Sequence, residues 1–404
     1  MKKTPIVLAT LLLAAVVARG GVGDLSHVAC DVKDALKPQS LSYGTSRSTE
    51  APKVSGVVNP KASVLLLRTP GPPIRLVVAV AIDSAKPGAA APDVVRLDFT
   101  GAGKFAKAPS LPLKRTSTGS TSFSAVFGPT AVKVRRGGKT IPVTISGRYF
   151  KSRTYRYVTL YLGTAVAGKC AFGETVLPVR IIDGNCSLSC GDRASVVISG
   201  GRVRGMQRGD TLEIGSGDDK APLKYLYGQP VLVKGSWYEV AISSDASKVT
   251  AKPLHPEVGK LKVAHENWTC LLAGDKQIHH ISGGSAPVTL PTGKYKVIEY
   301  AEYTGDEAQA SRGKLEWSSF QSSVAPVKVR AGATTELAIG TPLRASTNVG
   351  RSGDAVVLNL WLTDAAGGPV RDLYLPSRRR PAPPKVSVLD SSGKRVYQAT
   401  MEYG

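Results

Sequence analysis

The chain has 404 residues, a net charge of +23 and only 30 acidic residues. That length is too great for one ordinary core and calls for about two to four domains. Its 42 glycines and 27 prolines recur between short Val, Ile, Leu, Thr and Tyr runs, which excludes a helical bundle and argues for an all-β chain of sandwiches or barrels in tandem.

Met1, Lys2 and Lys3 precede an apolar run over residues 6–18, the pattern of a charged n-region and an h-region. The run is shorter than the ~20 apolar residues that span a bilayer. Small residues at Ala18, Gly20, Gly21 and Gly23 put the expected cleavage between Arg19 and Asp24, so residues 1–23 read as a secretory signal peptide. The mature protein is therefore expected to be secreted, periplasmic or at the cell surface. No later segment is long and apolar enough for a transmembrane helix. Residues 24–52 end in a polar, turn-rich stretch and read as a linker.

A basic β domain is expected over 53–165. Strand patterns occur at 64–68, 74–82, 94–99, 123–127, 131–134, 141–146 and 155–162, and residues 101–120 read as a long connection. Arg136-Gly137-Gly138-Lys139 is a hairpin signal. Between Asp98 and Glu174 there is no acidic residue, against thirteen Lys and Arg. Such a block concentrates anions and speeds encounter with polyanions. Lys133, Arg135, Arg136, Lys139, Arg148, Lys151, Arg153, Tyr155 and Tyr157 are the expected polyanion-binding residues. Read by alternate residues as an extended strand, 148–161 puts Tyr149, Lys151, Arg153, Tyr155, Tyr157 and Tyr161 on one face, which combines cations with flat rings. A solvated basic surface with cross-strand Tyr pairs is the plainer alternative.

A second β domain is expected over 166–258. Its first strand pattern, Thr175–Ile182, is followed by Asp183-Gly184-Asn185-Cys186-Ser187-Leu188-Ser189-Cys190-Gly191-Asp192. Oxygen side chains at Asp183, Asn185, Ser187 and Asp192 give the alternation a calcium loop uses. The segment resembles the Asp-x-Asn-x-Asn-Gly-x-Phe-x-Asp turns of uncharacterised bacterial secreted all-β proteins. Ser187 stands for the second Asn of that pattern after Asn185, Leu188 for its Gly and Cys190 for its Phe; Ala194 stands where a calcium loop has its bidentate Glu. These departures favour an Asx-stabilised turn over a calcium site, with Cys186 and Cys190 spaced to close it as a disulfide. No cofactor other than calcium is suggested.

A third unit is expected over 259–345. Its Leu290-Pro291-x-Gly293-x-Tyr295-x-Val297 run resembles an edge of prealbumin-like, carboxypeptidase-regulatory-like sandwiches, which implies a structural or binding module without an active site. Residues 346–404 read as an incomplete Ig-like β unit. His279 and His280 are adjacent, so on a strand they point to opposite faces. No nucleophile elbow, zinc motif or phosphate loop occurs. The sequence thus points to an exported, non-enzymatic adhesion protein that contacts anionic polysaccharide or another polyanion through residues 99–173. An envelope scaffold without a ligand and a hydrolase with an unrecognised site are the alternatives.

Overall fold

The computed structural model describes residues 21–31, 41–45, 55–58, 62–68, 76–87, 91–118, 122–136, 138–199, 202–207, 209–215, 222–275, 277–304, 314–320, 326–353, 355–374 and 380–402. Every regular element among them is a β-strand, so the protein is all-β. None of the described residues forms a helix long and apolar enough to cross a membrane.

The first ten strands are β1 (Gly21–Ala29), β2 (Leu41–Thr45), β3 (Ser63–Arg68), β4 (Val77–Asp83), β5 (Val94–Asp98), β6 (Ser110–Pro112), β7 (Lys114–Thr118), β8 (Ser122–Arg136), β9 (Lys139–Ser152) and β10 (Arg156–Phe172). Strands β3-β4-β5-β6 make one antiparallel sheet, and β7-β8-β9-β10-β2 lie side by side in another. Alternation turns Leu67, Val78, Val80 and Leu97 of the first sheet toward Phe127, Ile145, Tyr149, Val158 and Leu160 of the second, and all are buried in one core. Each such side chain contributes roughly 1.5–3 kcal/mol by leaving water. Two readings from sequence change here. Residues 101–120 are not a plain connection, since they contain both β6 and β7. Patterns at 123–127 and 131–134 belong to the single strand β8, whose register shifts between Phe127 and Thr130.

Strand β10 is the spine of two units. Residues 156–163 pair with β9, and 156–160 take β2 on the other edge. Residues 164–168 then pair with β1, and 165–172 pair with β11 (Thr175–Ile182). The boundary expected at 165/166 therefore falls inside a strand. Beyond β11 come β12 (Ser195–Ser199), β13 (Arg202–Gln207), β14 (Thr211–Ile214), β15 (Leu223–Leu226), β16 (Val231–Val233), β17 (Ser236–Ile242) and β18 (Lys248–Leu254). The order β15-β14-β11-β10-β1-β18-β17-β16 wraps as a half-barrel around Val179, Ile181, Leu212, Val231, Val240 and Val249.

The segment read as a linker over 24–52 is partly strand, because β1 and β2 both add to β10. The three residues at the end of the expected signal peptide, Gly21 to Gly23, also lie in β1, paired with Val249 to Ala251 of β18. Here β1 leaves β10 for β18, and the backbones nearly touch. A Cβ on Gly23 would lie 1.7 Å from the carbonyl oxygen of Lys169, and one on Gly168 would lie 1.9 Å from that of Asp24. Glycine at both places lets the two strands cross.

The remaining strands are β19 (Val258–Val263), β20 (Trp268–Ala273), β21 (Ile278–Gly283), β22 (Val288–Pro291), β23 (Gly293–Thr304), β24 (Lys314–Phe320), β25 (Val327–Val329), β26 (Thr334–Leu337), β27 (Arg344–Ser352), β28 (Ala355–Thr363), β29 (Val370–Leu373), β30 (Lys385–Leu389) and β31 (Arg395–Thr400). Sheets β22-β19-β26 and β21-β20-β23-β24-β29 enclose a core around Trp268, Leu272, Val297 and Tyr300. Strand β29 shows that the expected unit 346–404 shares a strand with the third. Its other strands form the hairpins β27-β28 and β30-β31, where Val356, Trp361, Val396 and Tyr397 are exposed.

Second and third units meet through a small apolar cluster of Leu226, Leu271, Ile278 and Ile298. Beside it, Gln229 uses its side-chain amide as a strand would. Its Oε1 accepts from His280 N–H at 2.8 Å and its Nε2 donates to His280 C=O at 3.2 Å.

Candidate functional site: the basic face of the first unit

The register of β7-β8-β9-β10 sorts the basic block into two faces. Directly opposed residues of antiparallel strands share a face. Val126 of β8 opposes Lys114 of β7 and Arg148 of β9, and the rung continues to Thr159. Lys133 opposes Pro142 and Arg135 opposes Thr140, on that same face. Ala125, Tyr149 and Val158 form the neighbouring rung and point into the core. Lys114, Lys133, Arg135 and Arg148 are therefore on the outer face, and all four are exposed. Among the described residues, no carboxylate forms an ion pair with any of them.

Tyr157 opposes Phe150 on this outer face, and Tyr155 stacks on Tyr157 with ring centroids 6.3 Å apart and an interplanar angle of 16°. The expected single face of Tyr149, Lys151, Arg153, Tyr155, Tyr157 and Tyr161 is not formed. A turn at 152–155, where Ser152 N–H donates to Tyr155 C=O, separates β9 from β10 and resets the alternation. Tyr149 is consequently buried in the first core, opposite Val158. Lys151 opposes Arg156 and Phe123 on the core-side face, at the exposed end of the sheet. Arg153 is exposed in the turn itself.

Two expected ligand cations are engaged within the protein. Arg136 and Lys139 close the β8-β9 hairpin. The Arg136 guanidinium donates to the carbonyl of Ser187, and Lys139 Nζ donates to that of Asp245 at 2.6 Å. Both cations fasten the first unit onto the second.

The Asp183–Asp192 segment receives Arg136. Asp183 is fully buried and accepts backbone N–H bonds from Asn185, Ser187 and Leu188. Asp192 accepts from the Asn185 amide at 2.9 Å and the Ser187 hydroxyl at 2.8 Å. Asp210, which lies outside the segment, accepts from the N–H groups of Gly184, Gly191 and Asp192. These side-chain oxygens accept from backbone and side-chain donors of the segment itself, the bonding of an Asx-type turn. Among the described residues, no group of three or more His, Cys, Asp or Glu is placed to hold a metal ion. Burial pushes the Asp183 carboxyl up to about 7, against the pull of its three N–H donors and of Arg136.

The expected Cys186–Cys190 disulfide is absent, and both residues are thiols. Cys186 packs into the first core with its sulfur beside Leu162, whereas Cys190 packs on the second core with its sulfur 3.5 Å from Ile181 C=O. The loop sits between two cores and its cysteines serve different ones. Burial, then the nearby Asp210 and Asp183 carboxylates, push the Cys190 thiol well above its ordinary value, which suppresses the reactive thiolate.

Elsewhere, polar clusters are structural in geometry. His279 is buried edge-on against Tyr295, and burial pushes its imidazole down to about 4. His265 Nε2 lies 3.2 Å from Glu302, which also accepts from Tyr300 O–H at 2.9 Å, but Glu302 is almost wholly enclosed. Glu257 and Asp275 line an open cavity of about 560 Å³ together with Lys294, Lys328 and Arg330, so cations outnumber carboxylates there. No known protein family, curated protein or solved structure matches this chain.

Proposed function

We propose that this is an exported, non-enzymatic adhesion protein of the cell envelope that binds an anionic polysaccharide on the outer face of β7-β8-β9. The supporting observation is the arrangement of Lys114, Lys133, Arg135 and Arg148, exposed on one face without carboxylate partners among the described residues. Cations placed so release counterions when they meet a polymer of negative charge. The stack of exposed Tyr155 on half-buried Tyr157 suits a sugar ring.

The test compares two charge-reversed proteins. One carries Lys133→Glu, Arg135→Glu and Arg148→Glu. The other carries Arg344→Glu, Arg351→Glu and Arg395→Glu on the exposed C-terminal hairpins. Both change net charge equally. Heparin affinity of the first should collapse, with the slope of log K against log salt reduced by about 3, while the second keeps the native slope. Equal losses would reduce the surface to general basicity.

A further inference from the structure

The four outer-face cations are not evenly spread, and their spacing deepens the reading above, on which this inference rests. Lys133 and Arg135 are two residues apart on β8. Lys114 and Arg148 face each other across Val126, about 10 Å apart at two strand spacings. On β9 the first pair corresponds to Pro142 and Thr140 and the second to Arg148 itself. From Thr140 to Arg148 is eight residues, or about 26 Å of strand.

Between the two clusters the same face carries Ala131, Thr144 and Ser146. These are small or hydroxyl-bearing and uncharged, so nothing there repels an anionic chain. The shift in register at Phe127–Thr130 does not turn the face over. Val143 and Ile145 on one side of it and Tyr149 on the other all remain in the core.

We infer that the site is a two-cluster track for an extended linear polysaccharide carrying sulfate or carboxylate groups, held at Lys133/Arg135 and at Lys114/Arg148 together. Each cluster alone offers two cations and is a weak site. A ligand long enough to reach both converts the second encounter into an intramolecular one, and its affinity exceeds that of a one-cluster ligand without any new kind of contact. Rings at Tyr155 and Tyr157 extend the track beyond the Arg148 end.

The experiment uses the full chain and size-fractionated heparin fragments shorter than about 20 Å, the strand length from Pro142 to Arg148, and longer than about 26 Å. Short fragments should bind with a salt slope of about 2 and long ones with about 4, and affinity should step up by roughly a hundredfold once the span is reached. Lys133→Gln with Arg135→Gln should remove the step, leaving long fragments bound like short ones, while melting temperature stays native because both side chains are exposed. A smooth rise of affinity with length, or a slope of 4 for the shortest fragments, overturns the two-cluster track while leaving the basic face as a polysaccharide site. Absence of binding by heparin of any length at low salt overturns the polysaccharide reading itself. Tighter binding of a single-stranded oligothymidylate than of heparin fragments of equal length overturns the ligand class.

Discussion

Gly23 lies against the carbonyl of Lys169 so closely that a Cβ would sit 1.7 Å from its oxygen. The contact marks the point where β1 crosses from β10 to β18 and so closes the half-barrel. Gly23→Ala must therefore push β1 off one partner. We expect a loss of about 1–3 kcal/mol, the usual cost of overpacking, read as a lower denaturation midpoint. A chain that starts at Gly21 should keep the native midpoint. One that starts at Leu25 loses all four β1-β18 rungs and should melt earlier.

The same residues show how far the sequence could be read. Gly21 and Gly23 fit a cleavage site by composition and a strand crossing by geometry, and only a backbone from 146 residues away tells the two apart. Fold class was legible because alternation repeats in almost every segment. The faces of β9 and β10 were not, because one turn at 152–155 inverts the count and sends Tyr149 inward while Tyr157 stays outside. Asp210 was invisible as a partner of the Asp183 loop, since the hydrogen bonds to Gly184, Gly191 and Asp192 join segments that no local motif links.

The amide of Gln229 offers a second test, on how the second unit holds the third. Gln229→Leu preserves the shape but leaves the buried N–H and C=O of His280 without that partner. An unsatisfied buried group costs about 1–3 kcal/mol. The expected signature is local: the His280 amide should exchange with solvent much faster, while amides of β8 and β9 keep native protection.

His279 gives a pH dependence with a definite sign. Its folded pKa is pushed down to about 4 by burial, whereas an unfolded histidine titrates near 6.5. Between those values the unfolded chain binds a proton that the folded chain does not. Stability from this residue is full above about 6.5 and is lost as pH falls toward 4, by up to roughly 3 kcal/mol. Asp183 acts oppositely: its raised value makes the folded state the better proton binder between about 4 and 7, so its contribution weakens as pH rises. The difference between native protein and His279→Phe isolates the histidine. That difference should shift steadily in favour of the variant from pH 6.5 to 4; a difference independent of pH would refute the assignment.

Arg135 and Arg136 are neighbours in sequence with opposite duties. Arg135 stands exposed on the outer face opposite Thr140, while the Arg136 guanidinium reaches the Ser187 carbonyl and holds the β8-β9 hairpin on the Asp183 loop. Arg135→Gln should weaken heparin binding and lower the salt slope by about 1, with no change in melting temperature. Arg136→Gln removes a charge-assisted hydrogen bond from a buried junction and withdraws the cation that favours the ionised form of Asp183. It should cost about 1.5–3 kcal/mol of stability and leave the heparin salt slope native. Both substitutions remove one positive charge, so a surface that merely gathers anions by net charge would treat them alike. Measuring affinity and unfolding on the same two proteins separates the outcomes. If the two variants lose equal affinity, the alternation that puts these arginines on opposite faces has no bearing on binding.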